Sequence, residues 1–135
     1  MVYALDTNTI VHYLRGNTNV HAHFDTAVLD EHRIIIPHAV DYELCRGFLV
    51  SPAPKKEAMY NMLTDPNGHC VIVDMGEDFW NIAKQIYSDL RRKSFTVGEI
   101  DILIAAFCLY NDCTLVTNNT RDFTNISGLK QVDWT

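Results

Sequence analysis

The sequence predicts an α/β fold with a mostly parallel central sheet, and three observations predict it. Short apolar runs rich in β-branched residues do not alternate in polarity: Val2–Leu5, residues 34–36, Cys70–Val73 and residues 114–117. Strands that are buried on both faces have that pattern. Longer stretches with apolar residues at helical spacing lie between these runs, as a parallel sheet with helical crossovers requires. The length of 135 residues suits one domain, 1–135, and the chain shows no repeat and no linker long enough to divide it.

Each element follows from local chemistry. After the first strand, Thr7 to Arg15 carries Ile10, Val11 and Leu14 at helical spacing and stops at Gly16-Asn17. A second helix is expected from about Val20 to His32, with Phe24, Ala27 and Val28 on one face. The strand at 34–36 is expected to end at Pro37, which cannot donate a ladder bond. A helix over 40–49 carries Glu43, and Pro52 and Pro54 separate it from another over 55–63. The turn Asp65-Pro66-Asn67-Gly68 leads into Cys70–Val73. Residues 77–93 form the longest predicted helix, with Phe79, Ile82, Ala83, Ile86, Tyr87 and Leu90 along one face. Gly98 precedes a helix over Glu99–Tyr110 that is apolar nearly all round, hence central. Strands at 114–117 and about 131–134 complete the chain.

Composition narrows the function. With 47% hydrophobic and 21% charged residues, disorder is not indicated. The longest uncharged apolar run, residues 102–110, is about half of what a bilayer crossing needs, so no membrane association is expected. The start MVYALD has neither the basic segment nor the apolar centre of an export signal. Cys45, Cys70, Cys108 and Cys113 lack CxxC spacing and read as free thiols of a reducing, cytoplasmic compartment. His21 and His23, two apart, do not face one another on a helix, and no finger-like spacing supports zinc. A net charge of −6 argues against holding nucleic acid mainly by bulk attraction.

The acids carry the functional signal. In a parallel sheet, functional groups gather at the carboxyl ends of strands, where Asp6 and the pair Asn118-Asn119 fall. Asp6 also suits a helix N-cap, and the two roles are compatible. Asp41 and Glu43 project to different sides of their helix, so only one can join a shared site. Asp101 opens the buried helix, where the helix dipole favours an acid but the interior makes a carboxylate costly unless paired or metal-bound. Glu99, two residues earlier and rotated away, is its rival, and Asp101 is preferred because it adjoins the apolar run. Asp122 follows the fourth strand in Asn118-Asn119-Thr120-Arg121-Asp122-Phe123, whose two asparagines and threonine also read as a turn. Several carboxylates beside apolar segments suit a hard divalent cation, Mg²⁺ or Mn²⁺.

Four ordered segments, Asp6-Thr7-Asn8, Glu43-Leu44, Asp101-Ile102-Leu103-Ile104-Ala105-Ala106 and Thr117-Asn118-Asn119-Thr120-Arg121-Asp122-Phe123, resemble the motifs of the VapC branch of PIN-domain ribonucleases. The resemblance spans residues 3 to 134 and implies a PIN-like three-layer α/β/α fold. It implies a Mg²⁺- or Mn²⁺-dependent RNA endonuclease, the toxin of a toxin–antitoxin pair, leaving 5′-phosphate and 3′-hydroxyl ends. Asp6 and Asp101 would be the principal metal ligands, and Glu43 and Asp122 would complete the acidic site. Asn8 would be a neutral neighbour, with Thr117 and Asn119 as supporting hydrogen-bonding residues. A homodimer and a VapB-like antitoxin are implied as partners. The tail Gly128-Leu129 … Asp133-Trp134 is similar to that of VapC toxins that cleave initiator tRNA, which favours tRNA as substrate. The two basic clusters, Arg91-Arg92-Lys93 foremost and Lys55-Lys56, are the candidate phosphate contacts. Two rivals stand beside this: a non-cleaving PIN-like scaffold, and an aspartate-based phosphatase, against which Asn8 counts because an acid is wanted there.

Overall fold

The computed structural model describes residues 1–135. Five strands form one sheet: β1 (Val2–Leu5), β2 (Arg33–Pro37), β3 (Cys70–Val73), β4 (Thr114–Val116) and β5 (Lys130–Val132). Their spatial order is β3-β2-β1-β4-β5, and every pairing is parallel. Consecutive residues Ala4 and Leu5 are both buried, as are Ile34, Ile35 and Ile36. Successive side chains point to opposite faces of a strand, so both faces of the sheet are covered and three layers result. The sequence expectation of a mostly parallel sheet is met by one that is parallel throughout.

The helices are α1 (Thr7–Leu14), α2 (Thr18–Leu29), α3 (His38–Val50), α4 (Pro54–Thr64), α5 (Phe79–Arg92), α6 (Glu99–Tyr110) and α7 (Thr120–Phe123). One core of 31 buried hydrophobic residues runs from Ala4 to Trp134 and joins all of them. Within α6, Ile102, Ile104, Ala105, Ala106, Phe107 and Cys108 are buried, which is the physical meaning of an apolar helix with no polar face. The four cysteines are free. No helix is long and apolar enough to cross a membrane.

Three departures from the sequence expectation have local causes. Pro37 remains in register with Val73 and also serves as N-cap of α3, so the strand runs straight into a helix that starts at His38, not Val40. Helix α2 stops at Leu29 because Glu31 turns left-handed, with φ 57°. Residues after Asn119, which read as a turn, close into α7, pinned by buried Phe123. At the tail, Trp134 lies beyond β5 and packs edge-on against Tyr3, with ring centroids 5.2 Å apart.

The strand order locates the site. The chain adds β2 and β3 on one side of β1, then crosses over to place β4 on the other side. The carboxyl ends of β1 and β4 therefore flank a topological switch point, where open α/β sheets leave a crevice. Asp6 and Thr117 immediately follow those two strand ends. Phe107 on α6 is fully buried in the core, and Phe107→Ala is expected to cost about 3–5 kcal/mol in a denaturant titration.

Candidate active site

Asp6 is held from both sides of the switch point. Its backbone N–H donates to the Val116 carbonyl at 3.1 Å, and the Thr9 hydroxyl donates to the same oxygen at 2.9 Å. One carbonyl, using both lone pairs, thus bolts the start of α1 to the end of β4. The Asp6 side chain caps α1, its Oδ1 accepting from the Thr9 N–H at 2.8 Å. Capping and placement at a strand end coexist, because the cap occupies only one carboxylate oxygen. Asp6 is 5% exposed. Burial raises its pKa, against the opposing influence of hydrogen bonds from Thr117 and Thr9, and the Glu43 charge raises it further.

Three other acids converge from separate elements. Glu43 comes from α3, and the Thr7 hydroxyl donates to its Oε1. Arg46, one turn along, approaches its Oε2 at 3.9 Å. Asp122 sits exposed on α7, where the Asn119 side-chain amide donates to its Oδ2 at 2.6 Å. The Asn119 N–H in turn donates to the hydroxyl of Thr117 at 3.0 Å. Thr117, fully buried, thus connects Asp6 to the loop that carries Asp122.

Asp101 is half-buried in the first turn of α6. Burial pushes its carboxyl up to about 6, the charges of Glu43, Asp6 and Asp122 add to the shift, and no hydrogen bond offsets it. The structure thereby brings together the four acids expected from the sequence. Glu99 stands apart: it is exposed and is not among the charges that act on Asp101. Asn8 is exposed on the first turn of α1. Asp41 points elsewhere, accepting from Tyr60 Oη at 2.8 Å in a brace between α3 and α4.

Sequence reasoning missed Thr7, Thr9 and Arg46. Arg46 was readable as the i+3 partner of Glu43 on a helix. The bonds of Thr7 and Thr9 were not, because they depend on which elements the fold sets beside α1.

The donor set is one of carboxylate oxygens, suited to a hard cation. No group of three or more His, Cys, Asp or Glu is closed tightly enough to cage a metal ion. Mg²⁺ seldom needs such a cage, binding instead through one or two carboxylates with water and substrate phosphate oxygens. An open acidic cluster whose member Asp101 has no hydrogen-bond support fits that mode.

Fold and site define an all-parallel α/β domain with four carboxylates gathered at its switch point. The sequence profile of the PIN domain matches residues 3–129, and the chain belongs to the PIN-domain family. Among its relatives is ribonuclease VapC2 of Rickettsia felis, 28% identical over 134 residues that cover 99% of this chain and 98% of that one. The tRNA(fMet)-specific endonuclease VapC of Salmonella typhimurium is 27% identical over 133 residues, covering 98% and 97%. The fold is similar to that in the crystal structure of DNA-bound VapBC from Salmonella typhimurium, with TM-score 0.88, 26% identity and coverage of 100% of this chain and 99% of that one. The resemblance read from the motifs therefore extends over the whole chain.

Two expectations follow from the geometry. Thr9→Val should keep the volume but lose one bond to Val116, costing about 1 kcal/mol in chemical denaturation. Asp101 takes up a proton more readily folded than unfolded, since its pKa rises from 3.8 to about 6. Ionising it therefore weakens the metal-free fold as pH rises through that window. Asp101→Asn should be more stable than wild type above about pH 6 and indistinguishable below about pH 4, by about 1 kcal/mol given the partial exposure of the group. Thermal melts across pH in chelator check this.

Proposed function

We propose that this chain is a metal-dependent endoribonuclease, the toxin of a toxin–antitoxin pair, acting in the cytoplasm on tRNA. The observation that carries this is the convergence of Asp6, Glu43, Asp101 and Asp122 at the switch point, with Asp101 held near 6 by burial and by the other three. Like charges gathered in a half-buried crevice repel one another, and a divalent cation removes that penalty. The full-length relatives named as ribonucleases, and the one named for tRNA(fMet), support the substrate class. The VapBC neighbour supports a VapB-like antitoxin as partner. The homodimer rests on the family resemblance.

Asp6 and Asp101 would hold Mg²⁺ or Mn²⁺, with Glu43 and Asp122 completing the acidic shell. When bound, such a cation polarises phosphoryl oxygens and makes water a stronger nucleophile at neutral pH. The chain's own residues arrange the rest. Thr9 and Thr117 hold the Asp6 carboxylate in one orientation, so it need not reorganise when substrate arrives. Asn119 fixes Asp122 at the open side of the crevice, where an acid can orient a water. Arg46 and Thr7 hold Glu43 against α1. Hydrolysis by in-line attack of water would leave 5′-phosphate and 3′-hydroxyl ends.

End-labelled total tRNA, incubated with Mg²⁺, Mn²⁺ or EDTA, tests this directly. Wild type should release discrete fragments with either metal and none in EDTA. Asp6→Asn and Asp101→Asn, nearly isosteric, should each lower the rate more than about 100-fold without loss of fold. Cleavage by either variant at the wild-type rate would sink the assignment. Binding without cleavage of tRNA or total RNA would favour a scaffold.

A further inference from the structure

The outer face of α5 differs chemically from the rest of the surface. Its buried stripe is Phe79, Ala83, Ile86 and Leu90. Shifted by one residue, at the same i, i+4, i+7, i+11 spacing, Trp80, Lys84, Tyr87 and Arg91 form an exposed row. Phe95 continues the row beyond the helix. Trp80 is 50% exposed, Tyr87 44% and Phe95 40%, so these rings leave much of their surface in water. Residues 79–93 hold four of the chain's 11 Lys and Arg against a single acid, Asp89, although the whole chain carries −6. Arg92 pairs with Asp89. Lys84, Arg91 and Lys93 have no acidic partner, and the Arg91 guanidinium lies 5.8 Å from the centre of the Tyr87 ring. A hollow of ≈ 170 Å³ bordered by Tyr87, Arg91, Phe95, Glu99 and Ile102 extends this face to the first turn of α6 on its Glu99 side; Asp101 lies in the same turn without lining the hollow.

We infer that Trp80, Lys84, Tyr87, Arg91 and Phe95 form a platform for a single-stranded stretch of RNA leading to the acidic crevice, its bases stacking on the rings and its phosphates meeting the cations. The inference rests on the RNA-cleaving function proposed above and adds the surface that delivers the substrate. A crevice lined by four carboxylates repels a polyanion, so attraction has to come from elsewhere on the surface. Aromatic faces interleaved with cations suit unpaired nucleotides, because any base can stack and the backbone runs alongside. Paired RNA hides its base faces, so the platform selects loops, bulges or ends.

The test uses a fluorescent 2′-O-methyl oligouridylate, which resists cleavage, with the full chain in EDTA. Tyr87→Ala and Arg91→Ala should each weaken binding about tenfold, the scale of one stacking contact. Lys84→Ala should reduce the salt dependence of log K by about 0.7. Lys130→Ala, on β5 with its ammonium paired to Asp112, is the control expected to bind as wild type. Melting temperatures should match throughout, because the substituted side chains are exposed. Binding also should quench the fluorescence of Trp80 and not that of buried Trp134, which Trp80→Phe separates. Wild-type affinity in Tyr87→Ala and Arg91→Ala would overturn the platform. So would a change in sedimentation from dimer to monomer in these variants with RNA affinity unchanged. Binding is measured without turnover, so a chain that binds through this row but cuts nothing would refute the nuclease and leave the platform standing. A chain that cuts equally well without the row would do the reverse.

Discussion

The site depends on a carboxylate buried at the end of the central strand. Asp6 is removed from water with only partial hydrogen-bond compensation, which is costly for a charge. The fold tolerates it because the same residue does structural work: its Oδ1 caps α1 and its N–H joins β1 to β4 through Val116. Thr9 reinforces that junction through the same carbonyl. Position and chemistry are thus coupled. The bonds that close the switch point also aim the carboxylate into it.

Around Asp6 the other acids arrive by different routes, and their environments differ in kind. Glu43 and Asp122 are each tied by neighbours, Thr7 with Arg46 and Asn119 respectively. Asp101 lacks such support and bears the repulsion of the other three. Negative charge concentrates here, whereas α5 carries basic and aromatic residues on one exposed face. The overall charge of −6 therefore conceals two regions of opposite character.

Much of this was legible in the sequence, for identifiable reasons. The non-alternating runs at 34–36 and 114–117 could only be strands covered on both faces, and the all-round apolar α6 could only be central. Asp101 stood out because an acid beside such a helix needs a partner. Spacing on α3 correctly divided Glu43, which faces the crevice, from Asp41, which braces Tyr60. The short α7 was not legible, since Asn-Asn-Thr is equally a turn and only the burial of Phe123 closes a helix there. Nor were Thr7 and Thr9, whose partners lie 36 and 107 residues away. The same spacing argument set Glu99 apart from Asp101, and in the structure Glu99 is exposed and absent from the charges that act on Asp101.

A divalent cation at Asp6 and Asp101, which the switch point brings together, is the proposal on which the catalytic reading stands. Titration calorimetry with Mn²⁺ would compare wild type with Asp6→Asn, Asp101→Asn and Glu99→Gln. The first two variants should lose affinity by at least about tenfold, about 1.4 kcal/mol, while Glu99→Gln binds as wild type. Undiminished binding in Asp6→Asn and Asp101→Asn, or a loss confined to Glu99→Gln, would overturn the assignment.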